Sequence, residues 1–65
     1  MATSEDCNDE WERGYIDGWT SVKPTKPTMP ARPASVPPGE DPLLYFYEAG
    51  KRRGIQDATN STKRI

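Results

Sequence analysis

Few side chains in this sequence could do covalent chemistry. Cys7 is the only cysteine and there is no histidine, so a thiol or hydroxyl nucleophile has no imidazole base to activate it. The same counts leave an intrachain disulfide without its second half and the usual zinc ligand sets incomplete. Asp6, Asp9 and Glu10 share the first turns of a predicted helix and could hold a hard cation. Carboxylates are also what a helix N-terminus attracts, and the cluster reads as solvated acids. Gly50-Lys51 is not a phosphate loop, because Tyr45 stands where that motif needs glycine. No catalytic constellation is assembled, and neither an enzyme activity nor a cofactor nor a metal is expected.

Binding chemistry is better represented. Lys51, Arg52 and Arg53 could contact phosphates, and with Tyr47 they form a small basic and aromatic patch. Pro27-Thr28-Met29-Pro30-Ala31-Arg32 matches the proline-x-x-proline-x-basic pattern read by aromatic grooves. Charge is divided along the chain: residues 1–22 carry six acids against Arg13, whereas residues 43–65 carry five bases against Glu48 and Asp57. Such opposite ends can pair within a chain, between copies or with a mixed-charge partner.

These groups need elements to position them, and the material for a core is thin. In 65 residues, Leu, Ile, Val and Phe together number eight, too few for a large private core. The composition allows one small all-α unit of two short helices, joined by an extended polyproline II arm, in four zones. Residues 1–22 form an acidic N-terminal helix, with Cys7, Trp11, Tyr15, Gly18 or Trp19, and Val22 on one face. Thr3 and Asp6 have the capping-box spacing at its start. In the arm, residues 23–41, Pro24, Pro27, Pro30 and Pro33 recur at the polyproline period, followed by Pro37 and Pro38. At about 3.1 Å per residue, Pro24 to Pro33 reaches about 30 Å, enough to run alongside a helix. Asp41-Pro42 then opens a basic helix over 42–58, whose face carries Leu43, Phe46, Tyr47, Gly50 and Gly54. Residues 59–65 read as a polar tail that Ile65 could anchor.

The two helices also resemble each other. Trp11-Glu12-Arg13-Gly14-Tyr15-Ile16-Asp17-Gly18 aligns with Tyr47-Glu48-Ala49-Gly50-Lys51-Arg52-Arg53-Gly54 as aromatic, Glu, any, Gly, three residues, Gly. Glycine inside a helix costs about 1 kcal/mol relative to alanine, so a packing reason is expected. Each helix offers a glycine notch flanked by aromatics, which can receive the other helix in a hairpin, the proline ridge or a partner.

Two resemblances follow. A polyproline segment folded back on an aromatic helix resembles the pancreatic-polypeptide architecture. Gly14-Tyr15-Ile16-Asp17-Gly18-Trp19, followed after the arm by Tyr47-Glu48-Ala49-Gly50, resembles the pattern of the ribosome modulation factor family and of similar small phage-encoded proteins. The chain departs from that family in lacking a strongly basic character and in its longer, proline-rich connection. The resemblance implies a tiny two-helix protein that docks on a large assembly.

The expected function is that of a non-enzymatic interaction protein. Its expected partner-binding residues are Trp11, Gly14, Tyr15, Gly18, Trp19, Pro24, Pro27, Pro30, Pro33, Phe46, Tyr47, Gly50 and Gly54. A minor structural or cementing subunit, for example of a phage particle, suits this description, and the alternative is a small inhibitor that blocks a ribosome or a nucleic-acid enzyme. The expected partner is a larger protein assembly or further copies of the chain, with neither a membrane nor a small-molecule substrate. The acidic N-terminus lacks the signal-peptide pattern, so the expected location is the cytosol, with incorporation in a virion as one destination.

Overall fold

The computed structural model describes residues 3–33 and 36–63. It is a small all-α fold of two helices, α1 (Ser4–Thr20) and α2 (Pro42–Lys63), with no strand among the described residues. The start of α1 is the capping box read from the sequence: the Thr3 hydroxyl accepts from Asp6 N–H at 3.1 Å, and the Asp6 carboxylate accepts from Thr3 N–H at 3.3 Å. Two of the four N–H groups left open at a helix start are thereby satisfied. At the other end, Ser21 Oγ donates to Gly18 O and Thr20 Oγ1 donates to Ile16 O. Pro24 then keeps the chain out of the helix.

The opening of α2 follows the same logic. A turn at Pro37–Glu40 closes with Glu40 N–H donating to Pro37 O at 3.3 Å, with Pro38 and Gly39 in its two central places. Gly39 has φ of +85°, the left-handed conformation that a type II turn requires at its third residue. The Asp41 carboxylate accepts from Leu43 N–H at 3.1 Å, and Pro42 takes the first helical position.

α2 is longer than expected. The polar segment after Ala58 is helical through Lys63, where the sequence reading places a tail. Helical propensity is weak across Thr59, Asn60 and Ser61, and tertiary contact supplies what propensity lacks. Ala58 is fully buried, Asp57 accepts from Tyr15 across the interface, and Ser61 accepts from Lys23 Nζ at 3.0 Å. Gly54 lies inside the helix as a packing residue against Tyr15 and Trp19. Ile65 lies outside the described residues.

The helices run side by side in the same direction. Gly14 lies against Tyr47 and Lys51, Gly18 against Lys51, Gly50 against Trp11 and Tyr15, and Gly54 against Tyr15 and Trp19. Positions therefore ascend together along both helices. This corrects the hairpin expectation, and the arm explains the correction: a parallel pair needs a connection long enough to return along the whole pair, whereas a hairpin needs only a short loop. The arm makes that return. Thr25 sits beside Trp19, Pro30 beside Trp11, and Arg32 beside Asn8. Trp19 to Trp11 spans about 12 Å of helix, matched by about 15 Å for five extended residues from Thr25 to Pro30. The core is correspondingly small: Cys7, Trp11, Tyr15, Phe46 and Ala58 are buried, and Met29, Val36, Leu43, Tyr45 and Ala49 pack around the cluster of Cys7, Trp11 and Phe46.

Candidate interaction surface

The four helical glycines meet within the chain. A Cβ added to Gly14 would fall on the carbonyl oxygen of Tyr47, and one on Gly18 would fall on that of Lys51. A Cβ on Gly50 would fall on the carbonyl oxygen of Trp11, and one on Gly54 on that of Tyr15. Each glycine thus turns a Cα–H bond toward a carbonyl of the other helix, the weak hydrogen bond that recurs where helices touch closely. The contacts are reciprocal. Under the alignment of the two motifs Trp11 corresponds to Tyr47 and Tyr15 to Lys51, so the Gly14 contact repeats at Gly50 and the Gly18 contact at Gly54. The sequence repeat is one quasi-two-fold interface built from the two halves of one chain.

Two tyrosines add side-chain contacts between the helices that the repeat does not relate to each other. Tyr15 OH donates to Asp57 and Tyr47 OH donates to Asp17, both at 2.6 Å. Asp57 also accepts from Arg53 Nε at 3.1 Å on both oxygens. Burial, with the Asp57 contact adding to it, pushes the Tyr15 hydroxyl up to about 12, and the hydrogen bond to Asp17 raises Tyr47. Both aspartates hold their tyrosine in the neutral form that donates.

The arm consumes much of what remains aromatic. Trp11 Nε1–H donates to Pro30 O at 3.4 Å, and Trp19 Nε1–H donates to Thr25 Oγ1 at 3.1 Å. Lys23 Nζ lies 5.7 Å from the Trp19 ring centroid, and the Arg32 guanidinium lies 4.6 Å from that of Phe46. Trp11, Tyr15 and Trp19 also follow one another with ring centroids 6.3 Å and 6.2 Å apart.

The expected docking residues therefore divide. Gly14, Gly18, Gly50, Gly54, Trp11, Tyr15 and Phe46 are buried, and Trp19 and Tyr47 are half-buried with their polar atoms engaged. With the pair closed, these residues face their own chain, the internal packing that is one of the readings the sequence offers for the glycine notches. Pro27 and Pro30 are half-buried, while Pro24 and Pro33 are exposed. Arg32, the basic residue of the proline-x-x-proline-x-basic match, is held by Asn8 and Phe46 instead of standing free. Among the basic residues of α2, Arg53 is tied to Asp57 while Lys51 and Arg52 are exposed. The acidic cluster of α1 is spent locally: Asp6 caps the helix and Glu10 lies 3.8 Å from Arg13. Among the described residues no group of acids, cysteine or histidine is arranged to hold a metal.

On the outer side of α2, Tyr47, Lys51 and Arg52 of the basic and aromatic patch lie beside aliphatic residues that the sequence reading did not single out. Leu44 is 56% exposed and Ile55 37% exposed. An open groove of about 500 Å³ on this side is lined by Tyr47, Glu48, Lys51, Arg52 and Ile55. Leu44, Glu48, Lys51 and Ile55 recur at steps of four, three and four, a second helical face. That signal was legible but was overshadowed by the glycine and aromatic face beside it. Comparison with known proteins finds no matching family model, no matching curated protein and no matching solved structure.

Proposed function

We propose that the chain is a non-enzymatic interaction protein that docks on a larger protein assembly through the outer face of α2. The observation that carries this reading is the exposure of Leu44 and Ile55 on the helix face of a groove whose charged residues have no ion pair among the described residues. Exposed aliphatic side chains flanking polar groups on one helix are what helix-in-groove recognition uses. The glycine and aromatic faces then serve the fold, and the arm fixes the parallel pair so that α2 is offered already ordered, which lowers the entropy lost on docking. A minor structural or cementing subunit, as in a phage particle, suits a protein of this size that offers a contact face and no reactive centre.

A second reading is favoured by Lys51 and Arg52 standing beside Tyr47: a small inhibitor that occupies the nucleic-acid path of a ribosome or of a nucleic-acid enzyme. Co-fractionation of the tagged chain with large assemblies of the producing cell separates the two. The docking reading expects association that survives moderate salt and is lost in Leu44→Glu/Ile55→Glu. The inhibitor reading expects association that falls steeply with salt and is lost in Lys51→Ala/Arg52→Ala. Association indifferent to both double variants would overturn the assignment to α2.

A further inference from the structure

We infer that the outer face of α2 is self-complementary and takes a second copy of this chain, with the two α2 helices antiparallel across a two-fold axis. The inference rests on the reading of this face as the contact surface and names one partner for it. Four residues set the geometry. Leu44 and Ile55 are placed symmetrically about a point between Ala49 and Gly50, and Glu48 and Lys51 are centred on the same point, with Arg52 one residue beyond. Antiparallel helices crossing there bring Leu44 of each copy against Ile55 of the other. The same register sets Glu48 of each copy against Lys51 and Arg52 of the other, so every contact occurs twice, as an isologous interface requires. Leu44 is the most exposed of the large hydrophobic side chains among the described residues, and the groove that Ile55 lines is the recess it would enter.

Charge selects this orientation. Parallel α2 helices in register would set Glu48 on Glu48 and Lys51 on Lys51, whereas the antiparallel arrangement makes every facing pair opposite in sign. The charges are available for it. Glu48 stands four residues before Arg52, the spacing for an ion pair within a helix. Yet none of Glu48, Lys51 and Arg52 makes an ion pair or a hydrogen bond from its side chain among the described residues. About three turns of helix bury a small area, so the association belongs to the weak class and is populated between about 10 µM and 1 mM.

Sedimentation equilibrium on the purified full chain tests the inference by charge reversal. The wild-type mass should rise with concentration from 7.3 kDa toward twice that value. Glu48→Lys makes the face wholly basic and Lys51→Glu/Arg52→Glu makes it wholly acidic, so each variant alone should stay monomeric. Mixed in equal amounts the two should form a heterodimer of about wild-type affinity, because every facing pair is again opposite in sign. Heterodimer formation also shows that both variants are folded, and far-UV circular dichroism checks each one separately. A wild-type chain that stays monomeric to 1 mM would overturn the dimer while leaving docking on a larger assembly to the co-fractionation experiment. A dimer that neither reversal weakens would also overturn it, because the copies would then meet elsewhere.

Discussion

Gly50 is the residue on which the parallel pair turns most directly. An alanine there would place its Cβ on the carbonyl of Trp11 and 3.0 Å from the backbone N of Tyr15, and a backbone cannot rotate away as a side chain can. The helices must separate, at the cost of about 1–3 kcal/mol that overpacking exacts, against about 1 kcal/mol gained from alanine's helix propensity. Gly50→Ala should lower the melting temperature by several degrees, since 1 kcal/mol corresponds to about 4–8 °C in a domain this small. A rise in melting temperature would show that the helices are not in contact there. Tyr15 supplies a prediction in pH. Its hydroxyl is raised in the fold to about 12 from an ordinary 10.0, so the stability it contributes is complete below pH 10 and lost as pH climbs toward 12. The loss should be on the order of 2 kcal/mol, read as a falling urea midpoint between pH 9 and pH 11.5. Tyr15→Phe should flatten that fall, and an equally steep fall in the variant would reassign it.

At the scale of elements, the arm dictates topology. α1 is 17 residues long, about 26 Å, and a parallel α2 must begin near the level at which α1 begins. Deleting residues 23–38 leaves five residues between the helices, which reach about 20 Å at full extension. That variant should lose the intramolecular pair and run as an exchanged dimer or an unfolded chain in size-exclusion chromatography. A compact monomer would mean that the helices can pair in the hairpin sense. Much at this scale was legible in the residues. Thr3 and Asp6, Asp41-Pro42 and the glycine repeat marked helix starts and a packing face, and the spacing of Pro24, Pro27, Pro30 and Pro33 marked an arm long enough to run back along a helix. Helix direction was not legible, because the glycine faces can be laid together either way and only the arm's return discriminates. The last turns of α2 were missed for a related reason. Asp57 and Ser61 are held by Tyr15 and Lys23 from outside the segment and Ala58 is buried, and local propensity carries no trace of those contacts.

Considered whole, the molecule is a two-helix repeat that closes on itself, with acids concentrated on one helix and bases on the other. Among the described residues no ion pair joins the helices, so the division of charge is not spent in holding them together. It remains at the surface, where it includes the charged residues of the α2 face proposed for docking. The aromatic and glycine residues expected to anchor a partner make contacts within their own chain. A glycine notch looks the same in sequence whether the backbone that fills it belongs to the same chain or to another. Parallel closure of the repeat is the claim on which the remaining inferences depend. Its most direct test is a set of nuclear Overhauser effects from the glycine α-protons of the isolated chain. The account predicts cross-peaks from Gly14 to Tyr47 and Lys51, from Gly18 to Lys51, from Gly50 to Trp11 and Tyr15, and from Gly54 to Tyr15 and Trp19, all independent of protein concentration. Cross-peaks joining Gly14 to Gly54 and Gly18 to Gly50, the pattern of an antiparallel hairpin, or none between the helices at all, would contradict it.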